Sequence, residues 1–349
     1  MQKLLGRWSK DIGIDLGTAN TLIYVRDQGI VINEPTVVSV NTRTDQVLAV
    51  GNSAREMIGK TPPHIVTTRP LVKGIISDFE VTEKMMKYFF DRLQEGKVAF
   101  YPRPRVVIGV PLDLTEVERK AVEDAVLGAG ARAVRLTEEP MAAAIGARLP
   151  VKEALGTMIV DIGGGVTQIA VMSLGGVVNS RVIPVAGDEM TKHIAQYARE
   201  VFNLLLGERT AEEIKIKLGS AIELPEAREG AMRGRDLMGG LPKEVMVTDA
   251  QIREALSRAV RQIVESVRAT LETTPPELVA DIYERGIVMT GGGALLRGLD
   301  KLIAKIVEIP VRVADDPLTS VVRGAGIILE DEALLEEVVI PSAFASSAR

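Results

Sequence analysis

The sequence predicts an α/β protein of two duplicated domains facing one another across a central cleft. Three observations carry that expectation. Short buried-type strands such as "VVIGVP" alternate with helices, the order that builds an α/β layer. "DLGTANTLIYV" from Asp15 overlays "DIGGGVTQIAV" from Asp161: the Asp, the Gly two residues on and the Thr six residues on coincide, and an alternating strand follows in both. "VRLTEEPMAAAIGA" from Val134 overlays "VRVADDPLTSVVRGAG" from Val311, matching an acidic pair, a Pro and the helix after it. Chance could give either match. Both together, in the same order, argue for two related halves.

Taken in order, residues 11 to 25 and about 30 to 50 alternate β-branched residues with turn residues, the pattern of antiparallel hairpins. Loop-rich "TPPHIVTTRP" and "LVKGIISDF" follow. A helix is expected from Val81 to about Glu95, with Met85, Met86, Phe89, Phe90 and Leu93 on one stripe and Asp78 or Thr82 as its cap. "LTEVERKAVEDAVLGAGA" reads as a helix opened by Thr115, with Glu118 in the capping-box position, and closed by Gly128 and Gly130. After residue 156 the scheme restarts with hairpin strands. A helical stretch over about 188 to 220 comes next, then a hairpin within "ELPEAREGAMRGRDLMGGLPKEVMVT". The following helix is capped by Asp249, periodic in Ile252, Leu256, Val260, Ile263 and Val267, and stopped by Pro275 and Pro276. The expected division is a segment 1–10, a first domain 11–150 with an insertion at about 30–80, a second domain 151–335 with an insertion at about 190–280, and a tail 336–349.

With 349 residues, 46% of them hydrophobic, the chain has material for two cores. A formal charge of −5 supplies no global basic field, which argues against a nucleic-acid partner. Cysteine is absent, which removes disulfides and thiolate metal sites and fits a reducing compartment. With only His64 and His193, a histidine-rich metal site is not expected either. "MQKLLGRWSKD" lacks the apolar run and cleavage site of a secretory signal, and no stretch reaches the ~18 apolar residues of a spanning helix. The expected location is therefore cytoplasmic. On a helical wheel Met1, Leu4, Leu5 and Trp8 share one side while Lys3, Arg7 and Lys10 gather on another, an interfacial-helix pattern. A short helix docked on the body of the protein would show the same pattern.

The chemistry concentrates in three turns. Small residues leave backbone N–H groups uncovered, and converging N–H groups cradle anions such as phosphate. Thr18, Ala19 and Asn20 would form one cradle; Gly163, Gly164 and Gly165 the other. Asp15 and Asp161 end the preceding strands, where a carboxylate suits Mg²⁺ held through water. A single Asp-Gly turn is more often a plain hairpin; a duplicated one joined to a third glycine turn is a stronger signal. That third turn, Gly291, Gly292 and Gly293 of "TGGGALLRGL", follows a buried strand and opens a helix. It lacks the G-K-[ST] of a P-loop, so it would meet a nucleotide by backbone approach, or need glycine for sterics alone.

These motifs, together with "RPLVKGIISDF", "TEVERKAVEDAVLGAGARAVRLTEEPMAAAIGA" and "ERGIVMTGGGALLRGLD", closely resemble the MreB family of rod-shape-determining bacterial actin homologues over residues 11–330. That family lies in the superfamily of actin, sugar kinases and heat-shock chaperone ATPases. The resemblance implies an actin-like fold of four subdomains, with ATP and Mg²⁺ in the central cleft. It also implies a cytoskeletal ATPase that assembles into paired filaments on the inner face of the cell membrane and organises cell-wall synthesis. Implied partners are further copies of the chain, the membrane surface and the membrane-spanning shape proteins RodZ, MreC and MreD. On the same ground Glu139 positions the attacking water with help from Thr167, and Gly291 to Ala294 meet the α-phosphate and nucleoside. "AEEIKIKLGSA" matches the family's adenosine-side helix, so that Glu212, Glu213, Ile214 and Lys215 line the base and ribose pocket. From the residues alone it is an ordinary charged surface helix. Glu138 and Glu139 likewise read locally as an acidic pair suited to a helix start, and their counterparts Asp315 and Asp316 place such a pair at the helix start of both copies. Family members bind lipid through an N-terminal amphipathic segment, an apolar loop, or both. Leu4, Leu5 and Trp8 supply the first here, and Val98, Phe100 and Tyr101 of "KVAFYP" the second, although that segment also fits a strand entering the sheet. A sugar-kinase-type phosphotransferase is the rival reading, but no polar sugar-binding set accompanies "EEP". A chaperone would need a substrate domain, whereas only "EDEALLEEVVIPSAFASSAR" follows the last core helix.

Overall fold

The computed structural model describes residues 11–94 and 103–341. Leu4, Leu5, Trp8, Val98, Phe100 and Tyr101 lie outside the described residues. Contacts divide the chain into two units: Met1–Ala154 with Ser173–Val177 and Leu318–Arg349, and Leu155–Met172 with Val178–Pro317.

The first unit is organised by a five-stranded sheet in the order Ala133–Glu138, Arg105–Val110, Ile12–Leu16, Asn20–Val25, Gly29–Pro35. Ile12–Leu16 pairs antiparallel with its hairpin partner and parallel with Arg105–Val110, which is parallel in turn to Ala133–Glu138. The run "VVIGV" at 106–110 is buried throughout, as a parallel strand covered on both faces must be. A smaller sheet of Gln46–Val50, Val38–Asn41 and Ile65–Thr68 follows the hairpins. The helix Phe79–Gln94 buries Met85, Met86, Phe89 and Phe90, and Asp78 caps it: its Oδ1 accepts the Val81 N–H at 3.0 Å. Thr82 lies inside the helix, its hydroxyl donating to the Asp78 carbonyl. The helix Glu116–Gly128 opens with the reciprocal Thr115–Glu118 capping box.

The second unit repeats the plan. Its sheet runs Gly176–Ile183, Thr167–Ser173, Thr157–Ile162, Ile287–Thr290, Val311–Val313, again with a hairpin on one side of the central strand and two parallel strands on the other. Between the hairpins and the fourth strand lies a smaller sheet of Leu204–Leu205, Glu229–Asp236 and Pro242–Thr248. The expected helical stretch over about 188 to 220 is two helices, Gly187–Phe202 and Glu208–Leu218. The chain breaks between them because Asn203 takes a left-handed conformation, φ 51°, that ends the first helix and launches the short strand. The long helix Asp249–Glu272 buries Ile252, Leu256, Val260, Ile263 and Val267. Its cap is Thr248 rather than Asp249. Extended backbone at Thr248 (φ −99°, ψ 159°) sets its hydroxyl against the Gln251 N–H in a reciprocal capping box, while Asp249 is already helical and accepts the Arg228 N–H at 3.0 Å.

The units depart from contiguous blocks 11–150 and 151–335 because the helix Ser320–Glu330 belongs to the first unit. It packs on Glu139–Gly146 so closely that a Cβ on Gly324 would lie 1.8 Å from the Ala142 carbonyl oxygen, and one on Gly146 1.9 Å from that of Ser320. A Cβ on Gly13 of the central strand would lie 3.0 Å from the Ala325 carbonyl carbon of the same helix. Nor does a tail begin at 336. Glu332–Val338 is a helix capped by Asp331, Arg105 bonds both Glu332 and the buried Asp11, and the Ile340 N–H donates to the Leu136 carbonyl at the sheet edge.

Gly324→Ala forces two backbones apart and is expected to cost about 1–3 kcal/mol. Gly207→Ala, at a position with nothing within 4 Å of the added Cβ, should leave thermal unfolding nearly unchanged. Removing the cap hydroxyl with Thr248→Ala should cost about 1 kcal/mol in denaturant unfolding, where a neutral result would refute the capping box.

Candidate functional site

Asp15 and Asp161 occupy the same register in their sheets. Asp15 pairs with Leu22 and Gly109; Asp161 pairs with Gln168 and Thr290. Each is followed by one strand residue and a four-residue turn closed by a glycine N–H, from Gly17 to the Asn20 carbonyl at 3.1 Å and from Gly163 to that of Val166 at 3.0 Å. Thr21 and Thr167 resume the strand opposite Leu16 and Ile162. Both turns thus stand at the carboxyl ends of parallel strands, where open α/β sheets bind ligands.

In the first unit the Thr18 hydroxyl accepts the Gly74 N–H at 2.8 Å, tying the turn to the short hairpin Leu71–Val72 and Ile75–Ile76. Buried Thr36 anchors the same turn from below: its hydroxyl donates to the Gly17 carbonyl, its N–H donates to the Ala19 carbonyl, and its oxygen lies 2.9 Å from that of Thr21. Asn20 is exposed. Glu139 is buried at the start of Glu139–Gly146, and a Cβ on Gly109 would lie 3.2 Å from its Cγ. Gly109 therefore gives Glu139 room beside the strand position that pairs with Asp15. Burial raises the pKa of the neighbouring Glu138 carboxyl, opposed by the charge of Arg119. The acidic pair is not a common helix start: Asp315 and Asp316 are exposed and precede the helix Ser320–Glu330, which begins after Thr319.

In the second unit the Gly163 and Gly164 carbonyls accept the N–H groups of Gly187 and Asp188, so the turn, including Gly165, sits on the N-terminus of Gly187–Phe202. Lys215 reaches the same place, its Nζ donating to the Gly187 carbonyl and the Thr191 hydroxyl, each at 2.9 Å. Its neighbours do not follow. Glu212 is half-buried, Glu213 is exposed and paired with Arg209, and the Ile214 side chain is buried in the core rather than lining a pocket, because one helical face packs inward. The Thr167 hydroxyl donates to the Val185 carbonyl at 2.7 Å, which leaves it able to orient water only as an acceptor.

The third turn packs on the end of Thr157–Ile162. At Gly291, φ 80°, a Cβ would lie 2.5 Å from Asp161 Oδ1; at Gly293 it would lie 2.1 Å from Ile162 Cγ2. Sterics alone demand those glycines, and they also bring the turn to Asp161. Gly292 begins a 3₁₀ turn, Gly292–Leu295, containing buried Ala294, rather than a long helix; Leu299–Val307 starts only after Gly298. Burial pushes the Asp161 carboxyl up to about 7. Among the described residues no group of three or more His, Asp or Glu side chains forms a metal cage. A buried carboxylate at a phosphate-type turn fits Mg²⁺, which is held through one or two carboxylates with phosphates and waters. Sequence reasoning missed Thr36, Gly109 and Gly187; a glycine inside the apolar run "VVIGVP" was the available signal of a close approach.

Comparison with known proteins extends the repeat geometry to relatives. The family model for MreB/Mbl protein matches residues 9–337. The cell shape-determining protein MreB of Escherichia coli (strain K12) is 50% identical over 336 residues, covering 95% of this chain and 96% of the relative. The cell shape-determining protein Mbl of Bacillus subtilis (strain 168) is 48% identical over 326 residues, 93% of this chain and 97% of the relative. Among solved structures, MreB5 of Spiroplasma citri bound to ADP superposes with a TM-score of 0.87 at 38% identity, covering 92% of this chain and 96% of that one. The MamK double helical filament gives 0.77 at 22% identity over 92% and 98%, a likeness of fold alone. Spanning nearly the whole sequence, these matches and the duplicated sheets show that the chain belongs to the MreB/Mbl family and has its actin-like fold.

Proposed function

We propose that the protein is a cytoskeletal ATPase that polymerises into filaments on the inner face of the cell membrane and helps set cell shape by organising wall synthesis. The observation that carries this reading is the duplicated Asp-Gly turn at the carboxyl ends of parallel strands, with buried Glu139 beside one copy and Lys215 and Gly291 beside the other. Support for nucleotide binding comes from MreB5 bound to ADP and to AMPPNP, and for a role in cell shape from the shape-determining relatives.

In this reading the turns at 18–20 and 163–165 hold phosphates by backbone N–H groups, and Lys215 adds positive charge beside the second turn. ATP with Mg²⁺ supplies the phosphoanhydride and the cation that neutralises its developing charge. Asp15 and Asp161 organise that cation. Glu139, buried and carboxylate-bearing, orients or deprotonates water, and Thr167 accepts a hydrogen bond from it. Leu4, Leu5 and Trp8, with Val98, Phe100 and Tyr101, supply apolar contacts to lipid, and RodZ, MreC and MreD are the membrane partners.

Glu139→Gln keeps the volume but removes the base, so ATP should bind with unchanged affinity while phosphate release falls by about a hundredfold; unaltered release removes Glu139 from the chemistry. Mg²⁺ competes with a proton on Asp161, whose pKa is about 7, so the Mg²⁺-dependent part of ATP affinity should decline as pH falls from 8 to 6. Asp161→Asn should abolish both that decline and the Mg²⁺ dependence, and titrations superimposable on the parent protein would refute the metal role.

A further inference from the structure

A groove of about 400 Å³ lies on the second unit between the helices Asp249–Glu272 and Leu299–Val307, built from residues other than those of the glycine turns. Its walls are apolar: Val260 and Val264 on the long helix face Leu302 and Ile306 on the short one, and Ile306 is 45% exposed. Along the rim stand Arg253, Arg261 and Arg268, about two helical turns apart. Arg253 bonds Asp249 and the Ile222 carbonyl, and Arg268 pairs with Glu272. Arg261 has no ion-pair partner among the described residues, even with Glu265 four residues on. At the groove wall Ser220 is fully buried, and its hydroxyl has no hydrogen-bond partner. A buried hydroxyl left unpaired is a cost that native cores avoid.

An apolar cleft of this size with a few placed polar groups has the makeup of a small-molecule site, and sites of this kind occur between helices. We propose that the groove binds a small amphiphilic anion, an apolar body lying between Val264 and Leu302 with a carboxylate or phosphate head met by Arg261. Arg253 and Arg268 are already neutralised by Asp249 and Glu272, so Arg261, which has no ion pair among the described residues, sets the sign of the head.

Isothermal titration of the full chain with decanoate and with decyl phosphate, below their micelle concentrations, tests the site; decyltrimethylammonium is the charge control. Saturable binding of one or both anions, and none of the cation, is expected, and the stronger of the two names the head group. Arg261→Glu should weaken binding by about tenfold or more, as loss of a charge-assisted hydrogen bond implies. Methyl resonances of Leu302 and Ile306 should shift on titration of the unmutated chain, a readout that does not depend on a variant folding. Equal binding of the cation, an unchanged affinity in Arg261→Glu, or shifts confined to other methyl groups would each overturn the proposal. So would an acidic amphipathic peptide that shifts these methyl groups when neither anion does, because the groove would then be a protein-docking face.

Discussion

Everything at the candidate site hangs on one repeated backbone hydrogen bond, the glycine N–H that closes each four-residue turn onto its own hairpin. It fixes the residue at which the central strand stops, and thereby places Asp15 and Asp161 at equivalent sheet positions. A slip of one residue would exchange the faces of the whole strand. The buried residues on either side, Ile14 and Leu16 in one unit and Val160 and Ile162 in the other, hold the register against that slip. The geometry of both turns follows from strand pairing.

The two copies share a frame and differ in how they complete it. In the first, a buried glutamate enters from the following helix and a threonine hydroxyl holds a neighbouring hairpin. In the second, the turn rests on a helix N-terminus reached by a lysine, and a glycine turn is pressed against the aspartate. Glu139 is buried where its counterpart Asp316 is exposed. The asymmetry extends to the helices after the last strands: Ser320–Glu330 leaves its own repeat and packs against Glu139–Gly146 through glycines that admit no side chain.

Elements with local signals were readable in the sequence. The Thr115 capping box, the Met and Phe stripe of Phe79–Gln94 and the paired Asp-Gly turns depend on neighbours a few residues away, so their patterns survive without a structure. The misplaced features depend on longer-range facts. Asp249 is as good a cap by type as Thr248, and only the backbone angle chooses between them. Ile214 falls beside Lys215 in the chain, yet helical rotation sends one into the core and the other to Gly187. The change of unit at Leu318 rests on Gly324 touching Ala142, a contact between residues far apart in sequence.

The central claim is that the Asp-Gly turn of each unit is a phosphate-binding turn, with a cation at the Asp161 carboxylate. Anomalous diffraction from crystals of the protein grown with AMPPNP and Mn²⁺ tests it most directly. The account predicts a manganese peak beside the Asp161 carboxylate, with phosphate oxygens within hydrogen-bond distance of backbone N–H groups in both turns, 18–20 and 163–165. A nucleotide bound elsewhere, or a metal held without either aspartate, would contradict it.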